Sequence, residues 1–277
     1  MGFLPVPNPV AFTIFGFDIM WYGVIIVIGM ILSVLLGCKR AQRYKLDPDR
    51  LIDFALYGII AGVIGARLYY VVFEWGYYSQ YPSEILNIRN GGLAIHGGLI
   101  FGVGIAIILG RIWKEDMVKW FDIIAPCVAL GQAVGRWGNY FNSEAHGIET
   151  TLPWAIYADG KLVHPTFLYE SIWCFLLCIF LVWFDRSGKK AFDGQISVLY
   201  LVLYSVERFF VEGLRTDSLW IGRFRQAQLI SIGLILFALV LTIIWSKRWK
   251  KLNAWRQYAD STGCENCERR EECLGHK

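Results

Sequence analysis

The segment Gly135-Arg136-Trp137-Gly138-Asn139-Tyr140-Phe141-Asn142-Ser143-Glu144-Ala145-His146-Gly147 is the densest mixture of polar side chains and glycines in the chain. Arginine offers a planar fork of donors that fits a phosphate, and Asn139 with nearby backbone N–H groups completes a cradle for an anion. The bland alternative is a reverse turn from which Arg136 reaches toward an interface. A second segment, Gly91-Gly92-Leu93-Ala94-Ile95-His96-Gly97-Gly98, sets four glycines around one imidazole. Losing that bulk lets backbone or a ligand come close. It is not a nucleotide loop, since the GxGxxG spacing and the strand–turn–helix context are both missing. Imidazole titrates near neutrality, so His96 is the candidate base for a proton transfer.

The elements that must carry these residues are membrane spans. The 277 residues are 56% hydrophobic and only 18% charged, against about 45–50% and about 25% in soluble domains. Mean hydropathy is +0.43. Ile19–Gly37 and Ala227–Trp245 each run 19 residues without a charge, close to the ~20 that cross a bilayer as helix. This composition excludes disorder, a coiled coil and a disulfide-stapled secreted fold. A membrane window predicts an all-α integral membrane protein with seven transmembrane helices, near 19–37, 51–73, 93–110, 118–135, 167–184, 194–211 and 227–245. No Lys or Arg precedes Lys39, so the first span lacks the basic region of a signal peptide.

Lysines and arginines divide nineteen against six between the two sides of such a chain, which places the N-terminus outside and the C-terminus in the cytoplasm. The net charge of +4 then describes a basic cytoplasmic face and not a nucleic-acid surface. With this topology Tyr22, Arg67, Glu74, His96, Arg136, Asn139, His164, Glu170, Glu207, Arg208, Glu212 and Arg215 all fall in the outer half of the bilayer. Ionisable groups are costly in hydrocarbon, so their gathering at one level marks a site. Asp53, Lys119 and Asp122, at the opposite ends, read as caps or interface charges. Pairs such as Gly58/Gly62, Gly98/Gly102 and Gly131/Gly135 permit close helix contact.

GxSxG, HExxH, P-loop and kinase motifs are missing. What remains suits an anionic phospholipid headgroup and a proton-transfer step. The thirteen residues from Gly135 to Gly147 resemble the signature of bacterial prolipoprotein diacylglyceryl transferases, G-R-x-G-N-[FY]-x-N-x-E-x-x-G, at every fixed position. The resemblance extends to Trp21-Tyr22-Gly23, Gly65-Ala66-Arg67-Leu68-Tyr69, Gly92 through Gly98, Asp122-Ile123-Ile124-Ala125-Pro126, His164 through Glu170, and Glu207-Arg208-Phe209 through Arg215.

The resemblance implies transfer of the sn-1,2-diacylglyceryl group of phosphatidylglycerol to the lipobox cysteine of a prolipoprotein signal peptide, in the bacterial cytoplasmic membrane, without metal or nucleotide cofactor. Carried over by motif, Tyr22, His96, Arg136 and Arg215 would be catalytic. Arg136, Asn139, Glu144, Gly147, Arg67 and Glu170 would bind substrate. Whether His96 removes the thiol proton or the arginine field alone stabilises the thiolate stays open. A lipid transporter would also need intramembrane arginines, but the chain shows no inverted repeat and no polar track reaching both faces. A seven-span receptor would leave the outer glycine–arginine cluster without a purpose.

Residues 1–250 read as one membrane domain and 251–277 as a cytoplasmic tail. The tail departs from the family pattern with Cys264, Cys267, Cys273 and His276. It reads either as a four-ligand zinc site or as a reduced polar tail.

Overall fold

A computed structural model describes residues 2–88 and 91–262; the expected tail site at Cys264, Cys267, Cys273 and His276 lies outside them. Seven long helices account for the bulk of the chain: α1 (Trp21–Arg43), α2 (Pro48–Phe73), α4 (Ile95–Ile112), α5 (Met117–Phe141), α6 (Thr166–Arg186), α7 (Gln195–Leu214) and α8 (Gln226–Thr262), with a one-turn α3 (Trp75–Tyr78) after α2. Three antiparallel hairpins among the described residues are invisible to a hydropathy window: β1–β2 (Val10–Ile14, Phe17–Met20) ahead of α1, β3–β4 (Ile156–Ala158, Lys161–Val163) between α5 and α6, and β5–β6 (Trp220–Ile221, Phe224–Arg225) between α7 and α8.

Six helices among the described residues, not the expected seven, are long and apolar enough to cross a membrane: α1, α2, α4, α5, α6 and the Gln226–Ala254 part of α8. The sixth expected span, α7, is 20 residues long but carries three charges, Glu207, Arg208 and Glu212, where the apolar stretches of the other six carry at most two. Beyond its apolar stretch α8 continues through Thr262, so the first residues of the expected tail are helical.

Local chemistry explains where helices start and how closely they pair. Asp47 accepts from the Asp49 amide at 3.0 Å ahead of Pro48, which cannot donate, and Asp116 accepts from Val118 at 3.2 Å; both are N-caps. The small-residue pairs of α2 and α4 interlock. A Cβ at Gly98 would lie 3.4 Å from the Gly62 carbonyl, and one at Gly102 would lie 3.4 Å from that of Gly58. A Cβ at Gly97 would strike the Gly65 carbonyl and the Tyr69 side chain. Backbones this close exchange dispersion contacts that larger side chains would forbid.

At the end of the bundle where α1 and α6 finish, a buried polar network ties four elements together. Pro126 in α5 lacks an amide proton and so orphans the Asp122 carbonyl four residues earlier. Arg40 of α1 donates to that carbonyl at 2.8 Å and to Ile123 at 3.1 Å, and it pairs with Asp185 of α6 at 3.2 Å. Asp122 is more than the cap or interface charge expected of it. Fully buried, its carboxylate accepts from Gly194 N (2.7 Å), Ser197 N (2.9 Å) and Ser197 Oγ (2.9 Å), so it does cap α7, and it also pairs with Lys190 at 2.9 Å. Tyr44 closes the ring by donating to Asp185 at 2.6 Å and accepting from Lys190 at 3.2 Å.

Burial pulls the Lys190 ammonium down, but Asp122 with Tyr44 and Asp193 outweighs it and holds it above the usual lysine range. Burial and the bond to Asp185 push the Tyr44 phenol up. Both groups keep their protons more tightly folded than unfolded, so their stabilisation is present at neutral pH and fades as pH climbs past about 10. The melting temperature in detergent should therefore decline above that pH, and less steeply in Lys190→Met. Gly97→Ala should cost about 1–3 kcal/mol by forcing α2 and α4 apart, whereas Gly104→Ala, which faces open space, should leave the melting temperature unchanged.

Candidate active site

At the opposite end, the last turns of α5 and α7 and the first turns of α1 and α6 converge. The Trp21 ring stacks on Phe141 with centroids 5.2 Å apart, which places the start of α1 beside the end of α5. The Tyr22 ring lies over Gly138, where a Cβ would come within 2.7 Å of it.

Glu170, in the first turns of α6, is 1% exposed. One oxygen pairs with Arg136 of α5; the other lies 3.3 Å from Arg208 of α7 and 3.5 Å from Arg215 just beyond it. Two of these cations have further partners: Arg208 pairs with Glu212 at 2.8 Å, and Arg215 grips Asp217 with two nitrogens at 2.9 and 2.6 Å. Arg136 has Glu170 as its sole carboxylate partner among the described residues. Glu207 is buried beside this cluster with neither oxygen hydrogen-bonded among the described residues. Outside the helices, the Arg215 hydrogen bonds hold the Asp217 carboxyl below its ordinary range.

The glycine-rich segment wraps over this cluster. Asn139 Nδ2 donates to Glu144 at 2.9 Å, and the Glu144 amide donates to the Asn139 carbonyl at 3.0 Å. Ser143 and Ala145 take positive φ of 53° and 57°, a cost that non-glycine residues bear where surrounding contacts hold the turn. Thr166 supplies one such contact by donating to the Ala145 carbonyl. Gly147 then passes through a slot. Its amide donates to His164 at 2.9 Å, it bridges to the backbone of Arg215, and a Cβ would come within 2.7 Å of His164 and 3.0 Å of the Leu214 carbonyl. The motif loop and Arg215 are thus joined backbone to backbone.

The structure therefore brings Arg136, Glu170 and Arg215 together, with Asn139, Glu144 and Gly147 adjoining them and Tyr22 against the same helix end. It adds Arg208, Glu212 and Asp217. Three charges inside an otherwise apolar helix, with Arg208 and Glu212 four residues apart, were the signal in α7 that pointed to two of these.

Arg67 and His96 belong to the α2–α4 pair, and no ion pair or hydrogen bond joins them to the cluster among the described residues. Arg67 spends all its donors on the carbonyls of Glu84, Ile85, Asn87, Gly91 and Gly92, at 2.6–3.0 Å, and so holds the loop that leads into α4. His96 sits in the first turn of α4, exposed, 6.2 Å from the Tyr69 ring by centroid and without a hydrogen-bond partner among the described residues.

Below the cluster, an apolar groove of about 500 Å³ runs between α1, α5 and α6, lined by Ile25, Val134, Trp137, Leu168, Ile172 and Phe175 among others. Fixed cations above an apolar groove can hold an amphiphile with an anionic head. They can also stabilise negative charge that develops on a leaving group away from water.

The family model for prolipoprotein diacylglyceryl transferase matches residues 9–244. A protein of Clostridioides difficile is 50% identical over 241 residues, covering 87% of this chain and 96% of that protein. One of Finegoldia magna is 48% identical over 239 residues, covering 86% and 96%, and one of Clostridium novyi is 47% identical over 246 residues, covering 85% and 95%. All three carry the name phosphatidylglycerol–prolipoprotein diacylglyceryl transferase.

Removing one partner of a buried charge group leaves the others uncompensated, at a cost of about 3–5 kcal/mol. Glu170→Gln should accordingly lower the unfolding free energy in detergent by that amount, read as a lower midpoint, whereas Asp217→Asn, at the exposed rim, should change it by less than about 1 kcal/mol. Equal midpoints for the two variants would show that the cluster does not depend on Glu170.

Proposed function

The chain belongs to the prolipoprotein diacylglyceryl transferase family, and from that premise we propose that it is an enzyme transferring the sn-1,2-diacylglyceryl group of phosphatidylglycerol to the lipobox cysteine thiol of a prolipoprotein, with release of glycerol phosphate. The observation that carries this reading is the convergence of Arg136, Arg208 and Arg215 on one buried carboxylate, Glu170, beneath the Asn139–Gly147 loop.

In the proposed reaction the thiolate sulfur attacks the glyceryl carbon next to the phosphate oxygen. The S–C bond forms, the C–O bond breaks, and the thiol proton ends on the released phosphate monoester. A cysteine thiol titrates near 8.5, so the site must favour thiolate at neutral pH. His96 is the proposed acceptor of that proton, and its unpartnered ring leaves it open to a substrate. Arg136, with Glu170 as its single carboxylate partner, and Arg215, whose Asp217 partner is half exposed, are the guanidiniums a phosphate can claim at least cost. They hold the phosphate before and during C–O cleavage. Asn139 and Glu144 shape the loop over the headgroup, Gly147 lets that loop reach Arg215, and Tyr22 borders Arg136's helix. Arg67 supports the site through the loop before His96. The apolar groove takes an acyl chain of the lipid.

The same proposal makes α7 a span and brings the count to seven, with the N-terminus and the site outside and the Asp122–Lys190 network on the cytoplasmic side of the bacterial cytoplasmic membrane. The nineteen-to-six division of basic residues supports this orientation. The cost of Arg208 and Glu212 in hydrocarbon is reduced by their mutual pairing and by that of Arg208 with Glu170.

Purified protein, phosphatidylglycerol and a lipobox peptide with one cysteine should give a peptide heavier by one diacylglyceryl group, read by mass spectrometry. Arg136→Ala should reduce the rate by roughly 100-fold or more. His96→Gln at near-normal rate would remove the imidazole from the proton transfer. Absence of product while phosphatidylglycerol still binds would point instead to lipid transport.

A further inference from the structure

The three hairpins at the active-site end show different faces to their surroundings. The β3–β4 hairpin buries Ile156, Ala158 and Val163 against Phe167, and it turns on Asp159 and Gly160 beside a Lys161–Glu149 pair. This is how a hairpin in water looks. In β1–β2, by contrast, Phe12, Ile14, Phe15 and Phe17 all stand outward, Phe15 at 97% exposure and Phe17 at 76%. Leu219, Trp220, Ile221 and Phe224 of the β5–β6 hairpin are likewise outward. These values match those on the outer flanks of the long helices, such as Val72 at 66% and Phe210 at 69%.

Both apolar hairpins run into a long apolar helix without a linker: Met20 closes β2 and Trp21 opens α1, while Arg225 closes β6 and Gln226 opens α8. Both are also tied to the catalytic end. Tyr140 of α5 donates to Pro5 at 2.5 Å, close before β1, and Arg225 donates to the Arg215 carbonyl at 3.1 Å. A helix that starts at the edge of the hydrocarbon leaves the residues just before it at headgroup depth, where aromatic side chains concentrate. The β1–β2 turn adds an independent sign. Phe15 and Gly16 take φ of 49° and 81°, positive at both central positions, where Asn-Gly is the usual pair. A phenylalanine there bears backbone strain and gains nothing inside the fold, yet its ring is carried to the outermost point of the hairpin.

We propose that the β1–β2 and β5–β6 hairpins insert their apolar side chains into the outer-leaflet headgroup interface, so that a lipid surface is their partner. This rests on the membrane topology proposed above. The consequence is positional. One hairpin is fixed to α1 and the end of α5, the other to Arg215, so together they hold the arginine cluster level with the lipid phosphates from two sides. Arg225 locks the second hairpin in place by donating to the Glu212 and Arg215 carbonyls and to Ser218 Oγ at 3.2 Å.

The full chain, in vesicles of equal parts phosphatidylcholine and phosphatidylglycerol, should be photolabelled with lipids carrying a diazirine either near the headgroup or at the chain end. The shallow probe is expected to label the peptides containing Phe15–Phe17 and Trp220–Phe224, and the deep probe the middle of α8. Hairpins that escape both probes while α8 is labelled, and that bulk hydroxyl radicals oxidise as readily as Tyr157, would overturn the proposal. An unlabelled α8 would overturn the membrane reading itself. Protection of the hairpins only on adding a lipobox peptide would also overturn it, by assigning the surface to the prolipoprotein. A Phe15→Ser, Phe17→Ser double variant should keep its turnover in detergent while its KM for phosphatidylglycerol in vesicles rises about tenfold; an unchanged KM in vesicles would contradict the proposal.

Discussion

Three guanidiniums cannot share a small space in a water-poor site without a counter-charge, and Glu170 supplies it. Its carboxylate is buried at the start of α6 and faces Arg136 from α5, Arg208 from α7 and Arg215 from the segment after α7. Each pair binds one more element to α6, so the relative placement of three helices is an electrostatic matter at this end. One anion alone would leave two cations uncompensated, and Glu212 and Asp217 balance them from the far sides of Arg208 and Arg215. The balance is uneven in space: Arg136 has Glu170 alone among the described residues, and the Asp217 partner of Arg215 is half exposed.

The other end of the bundle solves a different problem with similar means. Pro126 breaks the hydrogen-bond ladder of α5, and Arg40 repairs it from a neighbouring helix while Asp185 neutralises Arg40. Asp122 then caps α7 through Gly194 and Ser197. This anchorage fixes where α7 begins, and twenty residues of helix carry that placement up to Arg208 and Glu212. The α2–α4 pair is held differently, by backbone contact at glycines. It presents His96 from outside the charged cluster, with Arg67 fastening the intervening loop.

Much of the candidate site was legible in the sequence because the motif is contiguous. Gly135 to Gly147 names the phosphate-binding type of residue and the glycines in one run, and the apolar stretches on either side place it at a membrane boundary. Glu170 and Arg215 came through resemblance and topology, and they fall where Arg136 is. Arg208 and Glu212 were visible as charges in an apolar helix, but their partners lie on another element, and no spacing within α7 names Glu170. The apolar residues of 194–211 suggested a span, but no feature of that segment tells that Arg208 is paired with Glu170 and Glu212 while Glu207 is buried without an ion pair among the described residues. The hairpins escaped because two to five residues are too few for a periodic signal.

By itself the sequence determined the membrane class, the approximate helices and the motif Gly135–Gly147 that marks the candidate site, because these depend on composition and on residues close together in the chain. Tertiary structure decided which guanidiniums share a carboxylate, that Arg67 is consumed by loop carbonyls, that Asp122 is a buried cap, and that Gly147 must lack a side chain to pass His164 and Leu214. Those outcomes depend on distances between segments far apart in the chain. Local propensity carries no information about them, since burial and pairing are properties of the assembled helices.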